Sequence, residues 1–198
     1  MKMSKQSDPK HREDILRAAR KVFREQGYEK ARMEDVARLA GVAKGTVYLY
    51  FRSKLAILEA LVDSYYAMML EAIVPHLAHS DSGLGLKKAV HAGFELASRE
   101  RDLVVLLDLR LGYAKNRKVA TIGNPLALKE IRRFLKRCHD RGELRNYDTD
   151  IAAVLMGGLL QWITKLCLVW QGDDLAKYED TAVRMLQFAL FDNCEGLE

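Results

Sequence analysis

The sequence predicts an all-α chain of about nine helices, a small helix-turn-helix unit followed by a larger helical domain. Three observations carry that prediction. Only 3 prolines interrupt 198 residues. Apolar–polar alternation never runs beyond about four positions, so the signature of a half-buried strand is missing. Residues 33–50 hold two short helical patterns joined at Gly41.

The elements follow in order from their start and stop signals. A first helix over about 10–26 places Ile15, Ala19, Val22 and Phe23 on one face and stops at Gly27. In the second, Val36, Leu39 and Ala40 step at helical spacing, and the small Ala37 sits where two crossed helices come closest. Gly41 suits a turn that needs positive φ. Val47 and Phe51 continue the apolar pattern beyond it. This is the form of a helix-turn-helix, whose second helix enters the major groove of DNA.

Around that helix, Lys44, Thr46, Tyr48, Tyr50 and Lys54 offer ammonium or hydroxyl donors, the groups that anchor a phosphate backbone. Ala43, Gly45 and Leu49 are left to face the groove. The bland alternative is a helical hairpin with a solvated charged face and two core tyrosines. Ser53 can cap a long fourth helix reaching about Val74, where Pro75 should stop or kink it. Lys54 in its first turn opposes the helix dipole, a placement that a bound phosphate would explain.

Asp81-Ser82-Gly83 forms a turn before a fifth helix over about 84–98, and a sixth covers about 103–113. A polar loop runs through Gly123, and Asn124-Pro125 opens a seventh helix ending near Arg141-Gly142. Asp148 or Thr149 begins an eighth with the apolar run 151–170, broken at Gly172-Asp173. A ninth covers about 175–191.

Charge is unevenly spread. Residues 1–54 hold 14 Lys+Arg against 7 Asp+Glu, a net of +7, while the remainder nets −2. A basic segment beside a near-neutral one is the footprint of nucleic-acid contact. The expected division is a basic DNA-binding domain at 1–52 and a larger helical domain at 53–198. The first nine residues are polar and lack the apolar core of a signal peptide, which predicts a cytoplasmic protein.

No constellation for catalysis or metal binding stands out, and no cofactor is expected. Cys138, Cys167 and Cys194 are far apart and odd in number, as in a reducing compartment. Cys138-His139 and the His76/His79 pair lack the partners of a zinc site.

The eighth helix is long enough to span a bilayer, but Gln161 and Lys165 lie well inside it and no aromatic and basic belt flanks both ends. It reads as a helix buried on all sides. Gly157-Gly158 mid-helix costs roughly 1 kcal/mol per glycine, which close helix–helix approach would offset. Candidates for a small-molecule pocket are Tyr65, Met69, Phe94, Leu107, Arg110, Tyr113 and Trp162, aromatic and Met side chains with a few polar groups. Each has plain core as its alternative, and Arg110 can meet an anionic ligand or pair with Asp108 or Glu71.

The stretch 15–61, roughly a quarter of the chain, closely resembles the DNA-binding domain of TetR-family (tetracycline-repressor-like) regulators. The residues that carry this are Ile15, Ala18, Ala19, Phe23, Gly27, Tyr28, Asp35-Val36-Ala37, Ala40-Gly41-Val42, Lys44-Gly45-Thr46-Val47-Tyr48, Tyr50-Phe51, Ser53-Lys54 and Leu58. Beyond them only the helical character and Arg141-Gly142-Glu143-Leu144-Arg145 are similar. There are two departures. Ala31-Arg32 stands where the family carries a capping Ser or Thr, leaving Glu34 and Asp35 to compensate through the dipole and Arg32 as a candidate phosphate or base contact. Tyr50 stands where His is frequent.

The resemblance implies a homodimer built through the last two helices, binding a palindromic double-stranded DNA operator and responding to a small-molecule effector. The expectation is a ligand-responsive transcriptional regulator, a repressor released by a small, partly apolar effector, with no membrane span. The alternatives are a small-molecule-binding helical protein without sequence-specific DNA binding and an enzyme using Cys138-His139 or the His76/His79 pair.

Overall fold

The computed structural model describes residues 9–113, 125–171 and 174–191, the side chains of 110–113 and 125 not being among them. Nine α-helices make up these residues, with a single isolated bridge, Leu144 to Phe191, as the extended pairing among them. The chain divides between Ser64 and Tyr65, inside the fourth helix, rather than after residue 52.

The first unit contains α1 (Pro9–Gln26), α2 (Met33–Ala40), α3 (Lys44–Tyr50) and the start of α4 (Lys54–Leu77). Its core is Ile15, Ala18, Ala19, Val22 and Phe23 of α1 with Val36 and Ala37 of α2, Val47 of α3, and Ile57, Leu58, Leu61 and Val62 of α4. All recur at the three- and four-residue spacing that lines up one helix face. Gly27, at φ 78°, ends α1. Gly41, at φ 68°, ends α2, where the Val42 amide donates to the Ala37 carbonyl (3.0 Å) and the Gly41 amide to Arg38 (3.3 Å). That double closure is a Schellman turn, available at this φ without strain because glycine has no Cβ. Leu39 is the exception to the predicted core: it is 45% exposed, because α2 is covered on its Val36–Ala37 side only.

The second unit contains the rest of α4, α5 (Ser82–Arg99), α6 (Arg101–Tyr113), α7 (Pro125–Asp140), α8 (Thr149–Lys165) and α9 (Ala176–Leu190). α7 packs on α8 and α5 on α9. Helix α4 passes Pro75 and ends at Leu77. The proline cannot donate to the Glu71 carbonyl, and the helix runs only two residues beyond it. The Arg137 guanidinium takes up the Leu77 carbonyl at 3.0 Å. The side chains of Asp81 and Asp148 cap α5 and α8 by accepting backbone amides at 2.8 Å. Near its start α5 crosses the end of α4 closely: a Cβ on Gly85 would lie 2.7 Å from the His76 carbonyl oxygen.

Beyond Lys165, α8 widens into a π-helical segment, Leu166–Gln171. Nε of Arg101 donates to the Leu168 carbonyl there at 2.9 Å. The combined helix Thr149–Gln171 is the one helix among the described residues long and apolar enough to cross a membrane. It is not buried on all sides, as its composition suggested. One face packs inward through Ala153, Met156, Cys167 and Leu168, and the other exposes Ile151, Leu155 and Trp162. The polar loop after α6, the Asn124 cap and the break at Gly172-Asp173 lie outside the described residues.

Candidate nucleic-acid interface and effector cavity

The recognition candidate α3 follows Ala43, which is extended at φ −66° and ψ 147°, and Val47 is its single fully buried side chain. Burying one residue of a two-turn helix turns the rest outward. Lys44, Gly45, Tyr48 and Leu49 are exposed, Thr46 and Tyr50 half-buried. The ammonium of Lys44 pairs with the Glu34 carboxylate and lies 5.9 Å from the Tyr48 ring centre. Their hydrogen bond holds the Glu34 carboxyl below, and the Lys44 ammonium above, their usual ranges. Arg32 occupies the position before α2 at φ −115° with no side-chain cap. Its side chain is exposed.

Lys54 departs from expectation. Its ammonium, expected to anchor phosphate, donates to the carbonyls of Tyr28 (2.6 Å), Glu29 (2.9 Å) and Ala31 (3.2 Å) and lies 4.5 Å from the Tyr28 ring centre. All three N–H donors of an ammonium thus have partners in the loop before α2. Ser53 does cap α4: its Oγ accepts the Ala56 amide at 3.1 Å. Two neighbours from α1 went unseen in the sequence. Arg12 lies 5.4 Å from the Phe51 ring centre, and the His11 ring meets Tyr50 edge-on at 6.5 Å. No spacing within 33–54 signals contacts made from another helix.

In the second unit, α4 to α8 enclose a cavity of about 190 Å³. Of the pocket candidates, Tyr65, Met69, Phe94 and Leu107 line it, joined by Leu128, Ile131, Met156 and Leu160 from α7 and α8. The second group escaped notice because each reads equally well as plain core. Trp162 does not line the cavity. It is 55% exposed on the outer face of α8, edge-on to Trp170 at 5.0 Å. Helical spacing sets it one position from Gln161, which does reach the cavity, and so turns it away. The side chains of Arg110 and Tyr113 lie outside the described residues. Burial pushes the Tyr65 phenol up, so it stays neutral. Polar groups in the wall are few: Gln161, Thr164 and the ion pair Asp108–Lys165 at 2.5 Å stand out. Asp108, one of the acids that Arg110 could meet, pairs with Lys165.

Cys138 is fully buried, donates to Ser82 Oγ at 3.1 Å, and has its thiol pushed up by burial. His139 beside it is exposed. Among the described residues, no three His, Cys, Asp or Glu side chains come together as a metal site.

Comparison with known proteins agrees with this architecture. The family described as "Bacterial regulatory proteins, tetR family" matches residues 15–61. The chain is 37% identical over 106 residues to the uncharacterized HTH-type transcriptional regulator YvdT of Bacillus subtilis, 52% of this chain and 54% of that one. It is 29% identical over 184 residues to the HTH-type transcriptional repressor BepR of Brucella suis, 82% of this chain and 85% of that one. Apart from BepR, the chain spans about half or less of the length of the first curated relatives it matches. SmeT, the repressor of the Stenotrophomonas maltophilia multidrug efflux pump SmeDEF, shares the fold with a TM-score of 0.76 at 24% identity, over 92% of this chain and 91% of that one. The SmeT–triclosan complex gives 0.75 at 25% identity, over 93% of each. The chain therefore carries a tetR-family helix-turn-helix domain over residues 15–61, is similar to HTH-type transcriptional regulators, and shares the fold of SmeT along most of its length.

Proposed function

We propose that this protein is a ligand-responsive transcriptional regulator, a repressor that binds a palindromic operator as a homodimer and is released by a small, partly apolar effector. The observation that carries the reading is α3 itself. The Gly41 turn presents Lys44, Thr46, Tyr48 and Tyr50 on one short helix in a segment with a net charge of +7. Those donors fix register on phosphates, and Arg32, Ala43, Gly45 and Leu49 are left to approach bases. SmeT offers the analogy for the effector, since that repressor is found in complex with triclosan and this cavity is apolar with few polar groups.

The dimer reading rests on α8 and α9. Ile151, Leu155, Gly158 and Trp162 form a stripe on α8, and α9 exposes Met185 and Phe188. A second copy fits this stripe better than lipid does. The opposite face of α8 lines the cavity and holds Lys165 in its ion pair, whereas a single spanning helix meets lipid all round. A two-fold axis through such a bundle sets two α3 helices on two half-sites. An effector acts only by binding the DNA-competent and the released arrangements with different affinity. The protein would then work in the cytoplasm, where its DNA is.

Selection of bound duplexes from a random library at two salt concentrations tests the reading. An enriched palindrome that survives the higher salt is the expected result. Binding without enrichment that vanishes as salt rises would leave a basic surface on a small-molecule-binding helical protein.

A further inference from the structure

Leu49 is the most exposed large apolar side chain among the described residues, at 79%. The next most exposed, Phe188, Leu155 and Ile151, share the α8–α9 face that a second copy would cover. Leu49 instead stands on α3 amid hydrogen-bond donors. One turn before it on the same face is Gly45, around which a Cβ would find open space within 4 Å. The backbone of α3 is therefore bare there, and a groove floor can come close to it. The nearby polar side chain Lys44 is engaged with Glu34 and Tyr48. The most exposed side chain that α3 offers is thus an isobutyl group.

In the major groove, base edges are donors and acceptors with one apolar exception, the C5 methyl of thymine. Leucine set against any other edge would desolvate polar groups without bonding them, which is unfavourable. We infer that Leu49 is a specificity-determining residue that packs on a thymine methyl in each operator half-site. The inference rests on the regulator reading above.

The experiment takes the palindrome enriched from the random library and replaces each thymine in turn by deoxyuridine, which removes the methyl and leaves the pairing edge unchanged. With the full-length protein, one symmetric position should weaken binding about four-fold per half-site, the equivalent of ~0.8 kcal/mol for a buried methyl. In Leu49→Ala that difference should vanish, with the salt dependence of binding unchanged because no phosphate contact is lost. Leu49→Met, still apolar and of similar size, should keep it. Removing so exposed a side chain opens no cavity, and alanine is the better helix former, so the variant should fold. Equal affinity for every deoxyuridine duplex, or a loss that persists undiminished in Leu49→Ala, overturns the inference while leaving the regulator reading intact. Absence of any enriched palindrome overturns both.

Discussion

Lys54 opens α4 with its ammonium against three carbonyls of the loop that leads into α2. A basic residue in the first turn of a helix opposes the dipole, and the carbonyl cluster supplies the compensation that phosphate was expected to give. Lys54→Met keeps the aliphatic stem over Tyr28 and removes the donors. The expected outcome is a loss of about 1–2 kcal/mol in stability: hydrogen bonds to charged groups contribute about 1.5–3 kcal/mol each, but here two are only part-buried and the third is exposed. Urea unfolding followed by circular dichroism measures it. Gly85 shows a different constraint. A Cβ there would press on the His76 carbonyl at 2.7 Å and on the His79 Cβ at 3.0 Å, so backbone must move. Gly85→Ala should lower stability by about 1–3 kcal/mol, visible as a lower thermal midpoint, despite alanine's better helix propensity.

At the scale of elements, α3 and α8 each turn one face inward and present another. On α3 the outward face sets Lys44 beside uncharged groups, and the contact of that ammonium with DNA should register in the salt dependence. Lys44→Ala should lower the slope of log K against log salt by about 0.9 per protomer and weaken binding to all sequences alike. A filter or fluorescence titration at several salt concentrations reads both. On α8 the outward face is apolar, with Leu155 67% exposed and Phe188 on neighbouring α9 68% exposed. In the proposed dimer Leu155→Lys buries a charge without a partner, which is strongly unfavourable. Sedimentation velocity should find the parent protein as the proposed dimer and the variant as a folded monomer.

For the whole molecule, the cavity is what would make the second unit, in the proposed regulator, more than a dimer support. It lies among α4, α5, α6, α7 and α8, lined by Leu107 and Met156 among others. Leu107→Trp should fill it. The expected result is several-fold weaker uptake of a hydrophobic fluorescent probe such as anilinonaphthalene sulfonate, with DNA affinity retained. Loss of DNA binding as well would mean that the cavity governs the fold and not the response.

Features determined by local chemistry could be read from the sequence. The Gly41 turn, the Asp148 cap, the uncapped Arg32 and the apolar faces of α1 and α3 are settled by residues within one or two turns, whose spacing and φ requirements show in any ordered list of residues. The resemblance over 15–61 sharpened this because its motif is equally local. Tertiary structure alone decided the rest. Leu39, Trp162 and the outer face of α8 are apolar at helical spacing, and spacing says which face a residue is on but not whether this chain covers it. The passage of α4 through Pro75 depended on where that helix ends, and the pairing of Asp108 with Lys165 on which helices meet. The sequence by itself determined the helices and the donors on α3. Only tertiary structure decided where the long side chain of Lys54 reaches and which apolar faces stay open, because both depend on segments distant in the chain.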